Sequence, residues 1–305
     1  MSGSIGGDRI KREQVQPTVD KYTKEVLNKF PGFKSASITG SYNAGIKKDH
    51  GDIDLAVYID TKEDIKIVKK QFKKFIEEQP DEITPPFRAG KNQGKKAQMY
   101  GAIVTCETPI VGDEEKFVQI DNIIVTTEKD LHFQRSFLNM NAQKQALYGG
   151  VMRVLLNNTK DKTIIFKHFG LENLPTPEKN QEFEFVLSTS GLSLRLVTLT
   201  DDRHEKSREE LWRTNDWDNV KYLLKNYDMD GSYEDSLAQV KKHITDQRSR
   251  QRIVGFMKSQ IHVGPGEKGT PKGEEKERGI KLAQQELNVS EGMKSLKNYI
   301  IEHLQ

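Results

Sequence analysis

The segment from Ile38 to Ile59, ITGSYNAGIKKDHGDIDLAVYI, constrains this chain more than any other. A short apolar run ends at Gly40-Ser41, a small polar loop follows, and a second run opens at Asp52-Ile53-Asp54. Side chains alternate along a strand, so Asp52 and Asp54 share one face while Ile53 and Leu55 point into a core. Two carboxylates aligned on a rigid strand are oxygen ligands of the kind that hold divalent cations. Gly40 allows close backbone approach. Backbone N–H groups and the Ser41 hydroxyl are donors suited to phosphate oxygens.

A third acid stands inside the run Phe117 to Val125, FVQIDNIIV, which is rich in β-branched residues and reads as a strand. A carboxylate there, Asp121, is costly unless it is paired or bound to metal. The acids of Asp113-Glu114-Glu115 fall in a Gly-containing turn and read as solvated.

These residues resemble the signature of the polymerase-beta-like nucleotidyltransferase superfamily, Gly-Ser followed after about ten residues by Asp-x-Asp in an apolar setting. Here ten residues, Tyr42 to Gly51, separate Ser41 from Asp52. Gly45 and the pair Lys47-Lys48 are most similar to the branch of archaeal CCA-adding enzymes, oligoadenylate synthases and bacterial cyclic-oligonucleotide synthases. The spacer differs from that branch in having no Thr after Gly45 and in carrying Asp49-His50-Gly51.

The resemblance implies an α+β fold, with a small mixed β-sheet core, helices packed on it, and a mostly helical C-terminal domain. It implies that Gly40 and Ser41 hold the triphosphate tail of an NTP and that Lys47 or Lys48 neutralises phosphate charge. Asp52 and Asp54 would bind two Mg2+ ions (Mn2+ being the substitute). Asp121 would join the catalytic metal and help activate the acceptor hydroxyl. The implied reaction is transfer of an NMP from an NTP to a hydroxyl, most simply an RNA 3′ end, with release of pyrophosphate. The alternatives are a cyclic or linear oligonucleotide synthase, an enzyme that nucleotidylates a protein or small molecule, and an inactive nucleotide- or RNA-binding module.

The remaining organisation follows from periodicity. A helix is expected between Asp8 and Phe30, with Pro17 near its start, then strands at Lys34–Thr39 and Asp52–Ile59. Ile65, Val68, Phe72, Phe75 and Ile76 form one helical stripe, with five lysines largely outside it. The basic, Gly-containing run Arg88–Lys96 reads as a loop. Ala97–Ile110 and Phe117–Thr126 read as two long strands, and Glu128–Met140 and Ala142–Leu156 as helices. Gly149-Gly150 marks a close crossing or a bend. Gln181–Thr200 reads as a β-hairpin inside the helical half, the segments around Trp217, Leu237 and Ile253 as further helices, and Asp228–Gly231 as a turn. Gly264–Gly273 is linker-like, and a final helix pair covers Lys276–Leu287 and Ser290–Leu304. The expected domains are 1–130 and 131–305, with the nucleotide in the cleft between them.

The chain has 305 residues, 34% hydrophobic and 30% charged, with a net charge of +3, so global charge does not announce a nucleic-acid binder. The distribution says more. Ten Lys or Arg stand against five Asp or Glu between Lys241 and Arg278. Arg248 and Arg252 share a helical face and, with Lys258, are candidate phosphate or RNA contacts. The single Cys106 excludes an intrachain disulfide and a Cys-rich zinc site. The chain shows no apolar leader and no stretch of membrane-spanning length, and cytoplasmic location is the expectation.

Overall fold

The computed structural model describes residues 7–43, 48–88, 92–101, 103–200, 205–225, 232–261, 269 and 271–289. Two compact units divide the chain, Met1–Asn141 and Ala142–Gln305. Among the described residues no helix is long and apolar enough to cross a membrane. The fold is α+β, with helices set on a mixed sheet, as the sequence led us to expect.

In chain order the first unit contains β1 (Ile10–Lys11), α1 (Arg12–Glu25), β2 (Phe33–Thr39), β3 (Asp49–His50), β4 (Asp52–Ile59), α2 (Ile65–Glu77), β5 (Ala97–Tyr100), β6 (Ile103–Ile110), β7 (Asp113–Val125) and α3 (Glu128–Leu138). Five strands form one sheet in the order β2-β4-β7-β6-β5. β4 and β7 run parallel, and every other neighbouring pair is antiparallel.

Alternation gives this sheet one apolar face. Ile53, Leu55, Val57 and Ile59 of β4, Val118, Ile120 and Ile124 of β7, and Val104 and Cys106 of β6 are all buried there. α1 and α2 cover it with Val15, Val19 and Tyr22 from one helix and Val68, Phe72 and Ile76 from the other. α2 starts where the Asp64 carboxylate accepts from the Lys66 N–H at 2.7 Å, an N-cap that satisfies an otherwise orphan donor. Phe30 meets Phe72 edge-on with 5.1 Å between centroids. Truncating Phe72 to Ala would cost about 3–5 kcal/mol, because the cavity adds to the lost burial. The Tyr22 hydroxyl lies 3.3 Å from both Cys106 Sγ and Asn122 Oδ1. Burial pushes the Cys106 thiol up to about 12, so it acts as an inert core filler. α3 packs against β2, β4 and β7.

Three local expectations change. α1 begins at Arg12 and runs through Pro17, which lies inside the helix rather than near its start. The run 97–110 is two strands, because the chain reverses at Gly101, whose φ of +53° is the left-handed conformation that glycine adopts without strain. β7 begins at Asp113, four residues before the apolar run that announced it.

The second unit holds α4 (Ala142–Leu155), α5 (Lys162–His168), β8 (Gln181–Ser188), β9 (Gly191–Leu199), β10 (Glu205–Thr214), α6 (Trp217–Leu224), α7 (Tyr233–His243), α8 (Gln247–Gln260) and α9 (Pro271–Glu286). The hairpin β8–β9 is present, and β10 extends it to a three-stranded antiparallel sheet. β10 escapes sequence reading because it is a charged, largely exposed edge strand with two register shifts. The glycine pair of α4 marks a close helix crossing. A β-carbon on Gly149 would meet the Phe256 ring at 2.5 Å, and one on Gly150 would meet Ile253 backbone at 3.2 Å. The expected turn at 228–231 and helix at 290–304 lie outside the described residues, as does most of the linker-like stretch.

Candidate active site

The second face of the five-stranded sheet is polar around the acids. Strand register sets Thr39, Asp54, Asp121, Thr105 and Gln98 side by side in one row across β2, β4, β7, β6 and β5. The next row holds Asp52, Gln119 and Glu107 on β4, β7 and β6. Asp52, Asp54 and Asp121 are therefore brought to one face by their register, with Asp54 and Asp121 on adjacent strands about 4.8 Å apart. All three are half-buried.

Asp121 is held firmly. Its Oδ1 accepts from the Thr105 hydroxyl at 2.8 Å and from Gln119 Nε2 at 2.9 Å. Burial raises its pKa and the Asp52 charge adds to the rise, while the two hydrogen bonds oppose it.

The turn beside the acids is a short 3-10 segment, Gly40–Tyr42. Gly40 has φ +70°, and a β-carbon there would stand 2.1 Å from Asp54 Oδ2. Only glycine allows the backbone to lie this close to the carboxylate. The turn is pinned from several sides. Arg12 donates from Nη1 to the Tyr42 carbonyl at 2.8 Å, with its guanidinium 4.5 Å above the Tyr42 ring. Asn43 Nδ2 donates to the Ile38 carbonyl and to Asn139 Oδ1, both at 2.8 Å. His50 is buried, with its ring 5.6 Å from that of Tyr42. The Ser41 side chain and Lys47 lie outside the described residues. Lys48 is exposed, and its carbonyl accepts from the Arg12 N–H at 2.8 Å.

Among the described residues, no group of three or more His, Cys, Asp or Glu side chains is gathered as a metal cage. The three acids nevertheless fit Mg2+ or Mn2+ by donor type, since all are hard carboxylate oxygens on one face.

Two polar groups on this face carry no periodic signal and went unread. Glu107 is fully buried, and neither carboxyl oxygen has a hydrogen-bond partner. Burial drives its pKa up to about 7, Asp8 adds to that, and Arg88 opposes both. Gln98 Oε1 is likewise buried and unpartnered. A cavity of about 510 Å³ lies elsewhere, toward the far end of β4, lined by Lys34, Ser35, Tyr58, Asp60, Leu131 and Arg135.

In the second unit the α8 cluster divides. Arg248 is exposed and Lys258 half-buried. Arg252 is ion-paired with Glu182 at 2.8 Å and Glu184 at 3.2 Å on β8, and Arg153 joins the same Glu184. Desolvation raises the Glu184 pKa against the pull of the two arginines.

No protein-family model matches the sequence, and no curated protein does. Among solved structures the chain is similar to the Cid1 poly(U) polymerase with Mg and 3′-dATP bound, at 12% identity and a TM-score of 0.31, over 95% of this chain and 92% of that one. It is similar also to Cid1 in complex with its short product ApU, at 11% identity and a TM-score of 0.29, over 95% and 91%. Overlaps this low do not define a fold, and the functional reading rests on the site itself.

Proposed function

We propose that the protein is a metal-dependent nucleotidyltransferase that moves an NMP from an NTP to a hydroxyl acceptor, an RNA 3′ end, and releases pyrophosphate. The observation that carries this reading is the register of Asp52, Asp54 and Asp121 on one sheet face, directly beside the glycine turn.

The new bond joins the acceptor oxygen to the α-phosphorus, and the bond from that phosphorus to the β-phosphate bridging oxygen breaks. Gly40 lets the turn backbone approach the triphosphate, and Ser41 with Lys47 or Lys48 meets its charge. Asp52, Asp54 and Asp121 would hold the divalent cations. When bound, Mg2+ supplies positive charge that stabilises the leaving oxygens and lowers the pKa of the attacking hydroxyl. Thr105 and Gln119 fix the Asp121 carboxylate, so little reorganisation is needed when substrate arrives. The excess of Lys and Arg between Lys241 and Arg278 supports a polyanionic acceptor. Arg248 and Lys258 remain the proposed phosphate contacts of α8, while Arg252 is engaged by two glutamates of β8.

The test is incubation of purified protein with Mg2+ and each α-labelled NTP, with and without single-stranded RNA. Labelled, lengthened RNA with pyrophosphate is the expected product. Free oligonucleotides or labelled protein would move the acceptor elsewhere, and no pyrophosphate from any NTP would overturn the reading.

A further inference from the structure

The cavity at the far end of β4 belongs wholly to the first unit and has a volume of about 510 Å³. That is the size of a small-molecule site. Strand register sets its floor, where Ser35 of β2 is paired with Tyr58 of β4. Tyr58 lies four residues beyond Asp54 on the same strand and face, about 13 Å away. The cavity is therefore separate from the acids, although one sheet face carries both.

The wall is one stripe of α3. Glu128, Leu131, His132 and Arg135 stand at i, i+3, i+4 and i+7, so they share a helical face. The helix is fixed from another side, where Phe133 and Phe137 are buried. Seven residues separate Glu128 from Arg135, which sets the carboxylate and the guanidinium about 10 Å apart along the helix axis. Lys34 and Asp60, also in the lining, pair with each other at 3.5 Å. Among the described residues, Glu128 and Arg135 have no ionic partner. Desolvation, with the Asp60 and Glu128 charges, pushes the Tyr58 pKa up, so its hydroxyl stays a donor.

A lining with one unpaired cation and one unpaired anion at opposite ends selects its occupant. A triphosphate or a nucleic-acid backbone would meet too little positive charge. An amino acid, with both charged groups on one carbon, would reach only one end. A nucleoside monophosphate carries its phosphate and its base on opposite sides of the ribose, and it fits the span. We infer that this cavity is a second nucleotide site, which takes a 5′-nucleoside monophosphate whose base bears an amino group. The guanidinium fork of Arg135 receives the phosphate. The Glu128 carboxylate, an acceptor only, takes the amino N–H of the base. The base lies between the Tyr58 ring and the Leu131–His132 segment of α3, and Ser35 offers its hydroxyl to the ribose. The site lies outside the proposed catalytic centre and needs no divalent cation.

Isothermal titration calorimetry on the full chain, with AMP as the probe, in chelator and without NTP, reads this site. AMP should bind the wild type. Arg135→Ala should weaken binding roughly tenfold or more, the scale of a charge-assisted hydrogen bond. UMP, whose base has no amino group, should bind roughly tenfold more weakly than AMP. Asp54→Asn, at the acids, should stay within about twofold, since distant sites act independently. Arg135 is exposed, and thermal melting confirms that its variant is folded. No AMP binding by the wild type, equal affinity for UMP, or unchanged affinity in folded Arg135→Ala overturns the site. Loss of AMP binding in Asp54→Asn would place the nucleotide at the acids and overturn it as well. These readings need no turnover, so a failure of the transferase reading is told apart from a failure of this site.

Discussion

The backbone of Gly40 lies so close to Asp54 that a β-carbon on the glycine would stand 2.1 Å from the carboxylate Oδ2. The contact ties the turn to the second acid of Asp-x-Asp, so the backbone proposed to face phosphate and the side chain proposed to hold metal are placed by one another. A Gly40→Ala protein must turn the Asp54 carboxylate aside and hold φ at +70° with a side chain present. The strain costs roughly 1–2 kcal/mol. Turnover should fall about 100-fold from a misplacement of this size. Steady-state rates and thermal melts on the same preparation check both.

Asp121 should show opposite signs in stability and activity. Its pKa is raised by burial and by Asp52, so its charge works against the fold above the ordinary aspartate pKa. Asp121→Asn keeps an oxygen for Thr105 and Gln119 and removes the charge. In chelator its melting temperature should equal or exceed that of the wild type. Added Mg2+ or Mn2+ should raise the wild-type value, because a ligand that binds only the native state stabilises it, and should raise the variant's much less.

Glu107 makes stability depend on pH in a defined direction. Its folded pKa, about 7, lies above the unfolded value. The stabilising contribution is therefore complete below the unfolded pKa and is lost as pH rises through 7. The loss amounts to up to about 3 kcal/mol. Glu107→Gln cannot ionise. Melts at pH 4.5 and 8 should show the variant gaining on the wild type at pH 8 and losing that advantage at pH 4.5.

At the α4–α8 crossing two rules of helix stability conflict. Alanine is the better helix former by about 1 kcal/mol, which favours Gly150→Ala. A β-carbon there would press on Ile253 backbone, which has nowhere to go. Overpacking costs about 1–3 kcal/mol and should prevail. Gly149 faces only the Phe256 ring, a side chain that can turn, so Gly149→Ala should cost less. Chemical denaturation of the two variants ranks them.

What could be read in the sequence was whatever repeats locally. The alternation around Asp52 and Asp54, the apolar stripe of α2, and the glycine pair of α4 each announce themselves within a few residues. Gln98 and Glu107 do not. Each is a single amide or acid within its strand, and its place on the acidic face depends on the reversal at Gly101 and on pairing partners along the chain. β10 was hidden for a related reason, because an exposed charged edge has little apolar alternation to show. Arg252 looked like a free cation from its neighbours on α8, and only the fold brings Glu182 and Glu184 to it.

The most direct test of the central claim compares pyrophosphate release by the wild type, Asp54→Asn and Asp121→Asn under saturating NTP and Mg2+. Loss of the charge that places the cations should remove several kcal/mol of transition-state stabilisation, on the order of 1,000-fold in rate, from proteins that remain folded. Release by folded Asp54→Asn at the wild-type rate would contradict the assignment of this sheet face as the catalytic centre.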